Sequence, residues 1–448
     1  MPVSPARTAA FDILLRVERR SSYASELLNS SKYERLSPPD RALATELVMG
    51  VLRWRSRLDD EIVTASAQPL QKLDLEVLIA LRMAVYQFRW LDRIPQHAAL
   101  HESVQLVKRA RKSSAAGFVN AVLRKLSSAP RSRELEEAAS VQVVAQQFAH
   151  PLWMVERWAA EYGLDAARKI CVYNQSVPRT AVRLRTPSAE AELEKSGISL
   201  RPGALLHSAR QGSGDIATIP ACSTSQVVIQ DEGSQLVASL VGSRLPLGTR
   251  ILDCCAAPGG KTLAIADHNP TASITAVELH PHRVRLLQKL LRAAQAPAEI
   301  NVILSDIRDL PASSGFDRVL ADVPCSGTGT LARNPEIKWR LQPDDLASLQ
   351  ARQIEILRSA LAQARPGGRV LYSTCSLERE ENEFVVERVL AENPSFRMLD
   401  CRTELSRLKD EGELTWPDPA NLTRGPYLRT IPGIHQSDGF FAAILERS

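Results

Sequence analysis

Apolar positions recur at helical spacing from Ala6 to about Leu126. Phe11, Ile13, Leu14, Leu15 and Val17 form one group. Leu43, Leu47, Val48, Val51 and Leu52 form another, after Ser37-Pro38-Pro39-Asp40, a helix start with proline in the first turn. Further helices are predicted around Leu58 to Ala65, Leu75 to Phe88, Ala98 to Lys108 and Ala115 to Lys125. No strand pattern interrupts them, so a compact all-helical domain of five to seven helices is expected. Met83, Phe88 and Trp90 read as core. His97 and His101 read as surface or core, because no third metal ligand is near them in the sequence. From Ser127 to Val141 polar residues predominate, as in a linker with marginal helix.

The pattern then changes. An amphipathic helix starting at His150 should last to Tyr162, followed by a second from Asp165 to Asn174. Thr180 to Thr186 alternates as a strand with Arg183 and Arg185 on one face; Ala189 to Ser196 reads as a short helix and Val227 to Gln230 as a strand. A small α/β subdomain results, and its basic sheet face would suit single-stranded RNA. Beyond it, strands are predicted at Arg250 to Asp253, Ser273 to Glu278, Glu299 to Ser305, Arg318 to Asp322 and Arg369 to Ser373, with Phe440 to Leu445 as an antiparallel partner. Asp344 to about Ala364 is long enough for a crossover helix between parallel neighbours. Such alternation means a doubly wound sheet. The expected architecture is therefore multidomain: an all-α domain over residues 1–130, a small α/β subdomain over 145–230, and an α/β doubly wound, Rossmann-like domain over 231–448.

A length of 448 residues agrees with two or three domains. Hydrophobic residues at 44% and charged residues at 24% are those of a globular protein in water. The most apolar stretch, Val77 to Phe88, is interrupted by Arg82 and too short to span a bilayer, and no signal-peptide pattern precedes it. A cytoplasmic protein without a membrane segment is expected. The seven cysteines are odd in number and lack metal-ligand spacing. Adjacent Cys254 and Cys255 suit neither a zinc site nor a CxxC redox pair, so no metal is expected. Cys171, Cys222 and Cys401 read as packing residues. Net charge is +5, and residues 1–126 hold 20 Lys and Arg against 13 Asp and Glu, leaving 36 against 38 for the rest. A basic domain beside a nearly neutral one favours a polyanionic partner.

Candidate chemistry centres on Arg250 to Thr262, Arg-Ile-Leu-Asp-Cys-Cys-Ala-Ala-Pro-Gly-Gly-Lys-Thr. It reads as a strand, a tight loop and a helix start. At the carboxyl end of a first parallel strand such a turn binds ligands, because glycines admit them and helix-start N–H groups face them. The loop has neither GxGxxG nor GxxxxGK[ST], so a phosphate-bearing ligand is not indicated. Acidic residues end or follow successive strands: Asp253, Glu278, Asp306 and Asp322. Glu278 is placed to accept hydrogen bonds from ribose hydroxyls. Asp322-Val-Pro-Cys325 and Ser373-Thr-Cys375 each follow a strand. Neighbouring strands lie roughly 5 Å apart, so the two thiols can face one pocket beside the loop.

The glycine loop, Asp322-Val-Pro-Cys-Ser-Gly-Thr-Gly, Asn334-Pro-Glu-Ile-Lys-Trp and Ser373-Thr-Cys-Ser with the following Glu-Glu-Asn-Glu383 together resemble the S-adenosylmethionine-dependent RNA 5-methylcytosine methyltransferases. The amino-terminal part resembles the antiterminator NusB, as in the bacterial enzymes of this family that act on small-subunit rRNA, so nearly the whole chain is covered. The resemblance implies S-adenosyl-L-methionine as cofactor, contacted by Cys254, Cys255, Ala256, Ala257, Pro258, Gly259, Gly260, Lys261, Glu278, Asp306 and Asp322. It implies methylation of carbon 5 of a cytosine in 16S rRNA, with Cys375 as nucleophile, Cys325 assisting product release, and Lys261 at the active site. Carbon 5 of cytosine is a poor nucleophile. A thiolate that adds to carbon 6 makes it enamine-like, which divides one hard step into easier ones. Asp322 is the candidate contact to nitrogen 3, as a carboxyl kept protonated in a dry pocket. A lowered thiol pKa could come from Lys261 and the sulfonium charge. The target cytosine should be unpaired or flipped out. The residues alone do not distinguish the two thiols, and DNA cytosine methyltransferases use a Pro-Cys thiol as nucleophile, so the reverse assignment stays open. A monomer is expected. Another RNA target such as tRNA, or a non-catalytic RNA-binding assembly factor, are the competing readings.

Overall fold

The computed structural model describes all residues except 1, 2, 21, 31, 32, 34, 130–139, 214, 215, 217, 218 and 314. Most of the linker expected between Ser127 and Val141 lies outside the described residues. The chain forms two compact units, one of Met1–Val177 with Leu331–Leu341 and the other of Pro178–Thr330 with Gln342–Ser448.

The first unit is helical. Its amino-terminal helices are Pro5–Arg20, Ala24–Leu28, Pro38–Ser66, Leu75–Trp90, Gln96–Arg109 and Ala116–Ser128. Ser37 caps the third, its Oγ accepting from the Asp40 N–H at 3.3 Å. The separate helix expected at Leu58 is the second half of that same helix. Leu47, Val51, Leu58 and Ile62 continue one buried stripe, and no proline after its first turn breaks it. The core gathers Ile13, Leu14, Leu47, Leu52, Ile79, Met83 and Phe88, while His97 and His101 are exposed. Several of the basic residues are paired within the unit: Arg7 with Glu102, Arg55 with Glu18, Arg82 with Asp59 and Arg89 with Glu61, all within 3.0 Å. Lys108, Arg111 and Arg124 are exposed.

Helices Val141–Gln147, Leu152–Tyr162 and Leu164–Gln175 also belong to this unit. The boundary therefore falls at Val177, inside the expected 145–230 subdomain. The apolar faces of these helices, with Met154, Val155, Trp158, Ile170 and Cys171, are buried among helices rather than under a sheet. Residues Leu331–Leu341, which carry the Asn-Pro-Glu-Ile-Lys-Trp motif, complete the unit. Lys338 is fully buried there, and its Nζ donates to the carbonyls of Arg53 and Ala149, both at 2.9 Å. Trp339 Nε1 donates to Leu52 O at 2.6 Å, and Glu336 accepts from the Ala24 N–H at 2.7 Å. His150 is buried beside this segment, with Nδ1 2.6 Å from Phe148 O and Nε2 3.3 Å from Asn174 Nδ2.

Burial, with help from Lys338, holds the His150 pKa well below its ordinary 6.5. The unfolded chain takes up a proton near pH 6.5 and the folded unit does not, so stability is full above about pH 6.5 and is lost as pH falls below it. Thermal unfolding of wild type should weaken on acidification across that window. His150→Asn should flatten the dependence; an unchanged slope in that variant would remove His150 as its source.

The second unit holds two sheets. The smaller is antiparallel, with β1 Thr180–Leu184, β2 Ser199–Pro202, β3 Ala209–Ser213 and β4 Val227–Ile229 in the order β2-β3-β1-β4. β2 and β3 have little alternation to reveal them, since Arg201, Pro202, Arg210, Gln211 and Gly212 make them polar and short. The expected RNA-facing pair on β1 is corrected. Arg183 is buried, and both arginines grip Asp267: Arg183 Nη1 at 2.5 Å, Arg185 Nε at 2.8 Å and Nη2 at 2.7 Å. Burial disfavours the Asp267 charge, but the two guanidiniums more than offset it and hold its pKa low. These cations tie the small sheet to the helix Gly260–His268 and are not offered to a polyanion.

The larger sheet comprises β5 Arg250–Asp253, β6 Ser273–Glu278, β7 Glu299–Leu304, β8 Phe316–Asp322, β9 Ala364–Thr374, β10 Phe396–Leu399, β11 Thr423–Arg424, β12 Tyr427–Arg429 and β13 Phe441–Arg447. Its order is β11-β12-β13-β9-β8-β5-β6-β7, with β10 also paired to β13. β5 to β9 are parallel neighbours and β13 runs antiparallel to β9, with Phe441 opposite Thr374. The expected doubly wound domain is thus present with its antiparallel closing strand. Helix Asp345–Gln363 is the crossover from β8 to β9, and its Ile356, Leu357, Ala360 and Leu361 pack with Val319, Val370 and Tyr372. Strand order reverses beside β5, which opens a crevice at the carboxyl ends of β5 and its neighbours.

Candidate active site

The loop after β5 is held by backbone bonds that prolong the sheet: Cys254 N donates to Leu320 O at 2.8 Å and Ala256 N to Val277 O at 2.9 Å. Asp253 is fully buried under it, accepting from Thr262 Oγ1 at 2.7 Å. Burial raises its pKa to about 6. Gly259 takes φ +110° at the cap of helix Gly260–His268, and a Cβ there would lie 2.6 Å from Leu287 Cδ1. A side chain would both strain the turn and close it.

Two adjoining hollows share Cys255. One is lined by Cys254, Glu278, His280, Arg283, Asp306 and Arg352, among others. Glu278, buried at the end of β6, accepts from Ala257 N at 3.3 Å through Oε2 and from His280 N at 2.9 Å through Oε1. Each oxygen keeps a lone pair for a further donor. Asp306, after β7, is forked by Arg308, with Nε at 3.0 Å and Nη2 at 2.6 Å. Those bonds lower its pKa. The second hollow is lined by Gln230, Asp253, Ala256, Ala257, Pro258, Gly259, Gly260, Lys261 and Asp322, among others. All the expected ligand-contacting residues thus line one or both hollows.

Lys261 Nζ donates to Asp322 Oδ2 at 2.7 Å and lies 5.1 Å from the Phe440 ring centroid. Burial opposes its charge, but Asp322 more than offsets this, and the Lys261 pKa is raised, with Cys375 contributing in the same direction. Asp322 Oδ1 accepts from Ser373 Oγ at 2.7 Å. An ammonium and a hydroxyl therefore already donate to this carboxylate.

Cys325 and Cys375 follow adjacent strands paired Asp322 to Ser373, and their sulfurs are 3.3 Å apart. The hydrogen bond to Cys375, reinforced by burial, pushes the Cys325 pKa well up, so Cys325 is held as the thiol. Behind the pair, Gly329 N donates to Cys375 O at 2.9 Å and Gly439 N to Gly329 O at 2.8 Å. A Cβ on Gly329 would meet Gly439 O at 2.2 Å and Cys375 O at 2.8 Å. Gly329→Ala should therefore cost about 1–3 kcal/mol in thermal unfolding, as overpacking does, and displace the Cys375 loop. Unchanged unfolding and unchanged Cys375 alkylation would refute that reading.

Sequence reasoning gave no site role to Gln230, Arg283, Arg352 or Glu381, although Glu381 lies in the quoted Glu-Glu-Asn-Glu383 run. Arg283, five residues past Glu278 on the next helix, donates to Ala257 O at 2.8 Å, and that spacing was a usable signal. Gln230, Arg352 and Glu381 reach the site from elements whose placement no local pattern reveals.

A doubly wound sheet with carboxylates at its strand ends and a glycine turn free of phosphate signatures defines a Rossmann-type methyltransferase. A family model described as 16S rRNA methyltransferase RsmB/F matches residues 246–446, and a NusB family model matches residues 4–128. The probable ribosomal RNA small subunit methyltransferase B of Bacillus subtilis is 33% identical over 463 residues, covering 100% of both chains. The ribosomal RNA small subunit methyltransferase B of Vibrio cholerae is 30% identical over 450 residues, covering 98% of this chain and 97% of its own. The chain belongs to the RsmB/F family of small-subunit rRNA methyltransferases. The crystal structure of PH0851 shares the fold over 100% of both chains, with TM-score 0.81 and 23% identity. Among the described residues no helix is long and apolar enough to cross a membrane.

Proposed function

We propose that this protein methylates carbon 5 of a cytosine in 16S rRNA, using S-adenosyl-L-methionine and a covalent cysteine–cytosine intermediate. The observation that carries the reading is the Cys325–Cys375 pair, 3.3 Å apart at the ends of β8 and β9, with the Lys261–Asp322 pair alongside. The residues present fit the cofactor. Glu278 has acceptor capacity for ribose hydroxyls, Asp306 borders the same hollow, and the Cys254–Gly260 turn leaves room for a methionine moiety. When bound, the cofactor supplies an electrophilic methyl on a sulfonium.

In this mechanism Cys325, whose pKa its hydrogen bond to Cys375 and burial push well up, keeps its proton, and the nucleophile is Cys375, as the family resemblance implies. Its sulfur bonds to carbon 6 as nitrogen 3 takes a proton from the Lys261–Asp322 pair, and the ring's electron pair moves to carbon 5. Holding that proton on Lys261 rather than on a neutral Asp322 is the change that the ion pair brings to the expected mechanism. After carbon 5 has taken the methyl, its proton passes to solvent water, the pair left behind re-forms the carbon 5–carbon 6 double bond as the carbon 6–sulfur bond breaks with its electrons going to Cys375, and the proton on nitrogen 3 returns to the Lys261–Asp322 pair. Cys325 is the group beside Cys375 that can assist this release. Exposed Lys108, Arg111 and Arg124 of the helical unit are candidate phosphate contacts.

Transfer from labelled S-adenosylmethionine to small-subunit rRNA, followed by nucleoside analysis, tests the reading. Labelled 5-methylcytidine in 16S rRNA is the expected product. Label in tRNA instead, or in no RNA, would overturn it in favour of another target or an assembly factor.

A further inference from the structure

Glu381 sits on a short helical turn after β9, wholly buried, six residues beyond Cys375. One carboxylate oxygen, Oε1, accepts from Ser326 N at 2.8 Å and from Gln353 Nε2 at 2.9 Å. The other, Oε2, accepts from Ser376 Oγ at 2.5 Å and from Ser326 Oγ. Ser326 directly follows Cys325 and Ser376 directly follows Cys375. The two serine hydroxyls are themselves 3.1 Å apart. Glu381 also accepts through its own carbonyl from Tyr372 OH at 2.6 Å, which fixes it to the body of β9. Gln353 adds a bond to Pro324 O at 3.0 Å on the other flank of Cys325. One carboxylate thus ties together the two loops that carry the thiols, within one residue of each.

We propose that Glu381 is a positioning residue for the thiol pair: its carboxylate clamps Ser326 to Ser376 and so sets the separation of Cys325 and Cys375. The inference rests on the proposed cytosine chemistry only for its consequence in catalysis; the clamp itself concerns the thiols. A thiol displaced by about 1 Å from its attack position loses on the order of 100-fold in rate. Glu381 itself lines neither cofactor hollow. Its loss should therefore fall on kcat and spare cofactor affinity.

Two measurements test this on the full-length protein. In the first, single-turnover methyl transfer and S-adenosylhomocysteine affinity are compared for wild type, Glu381→Gln and Glu381→Ala. In the second, the same proteins without RNA are treated with diamide, which takes two electrons and two protons from the thiol pair to give a disulfide and the hydrazine. The Cys325–Cys375 crosslink is then timed by mass spectrometry of unreduced peptides. Glu381→Ala should slow transfer by about 100-fold and crosslinking by about tenfold, with cofactor affinity within about twofold, and Glu381→Gln should recover part of both. Unchanged crosslinking in Glu381→Ala overturns the proposal. If that variant loses cofactor affinity too, Ser326→Ala/Ser376→Ala decides: slowed crosslinking with retained affinity sustains the clamp, and wild-type crosslinking refutes it. A wild type that makes no 5-methylcytidine would refute the cytosine reading while the crosslinking arm still judges Glu381.

Discussion

Cys375→Ala should reduce methyl transfer by about four orders of magnitude or more, because the neighbouring Cys325 is held as the thiol and does not replace the lost nucleophile. Cys325→Ala should instead accumulate a protein–RNA adduct that survives a denaturing gel. The contrast follows from the environment of each sulfur. Cys325 is the hydrogen-bonded partner whose thiol form burial protects, whereas Cys375 is the sulfur that contributes to the raised Lys261 pKa. The two lie so close that either could reach a base placed between them and Lys261, so proximity alone does not separate them. An adduct with Cys375→Ala and none with Cys325→Ala would exchange the roles.

Lys261→Met should lower the single-turnover rate by about 10²–10³-fold, the usual range for a positioned proton donor. It should also destabilise the second unit, since breaking a buried ion pair strands the remaining charge. The stranding is moderated here, because the Asp322 side chain is 26% exposed and Ser373 Oγ still donates to it. If the two act as one proton-donating pair, Lys261→Met/Asp322→Asn should be little slower than either single variant. Losses that multiply would show that Lys261 and Asp322 act separately and would sink the shared-proton mechanism. Cofactor binding measured in parallel separates a chemical defect from a damaged pocket, since both residues line the second hollow.

Much of this was legible in the chain itself. The amphipathic stripe from Phe11 through Ile62 has one period, so it announces helices whatever they pack against. The strands that end in Asp253, Glu278 and Asp322 are apolar runs of strand length bounded by turn residues, and parallel strands buried on both faces must look that way. The glycine turn and the two Thr-Cys and Pro-Cys strand ends were found from order and spacing alone. Helix boundaries are less legible, and Leu58–Ala65 reads as separate from its helix because apolar spacing does not say whether a helix continues between two groups.

By itself, then, the sequence determined most of the helices, the parallel core and the residues at its strand ends able to do chemistry, since each follows from local periodicity or from functional groups at strand ends. Tertiary structure decided what those groups face. Arg183 and Arg185 alternate on β1 as a basic face should, but Asp267, 82 residues beyond Arg185, engages both guanidiniums. Lys338 reads as a polar motif residue and is a buried donor to two carbonyls of the helical unit. Glu381 is one of several acids in a charged run, distinguished from its neighbours only by the two loops brought to it by β8 and β9. Charge, hydrogen-bond satisfaction and thiol separation depend on contacts between residues far apart in the chain, and no local pattern encodes them.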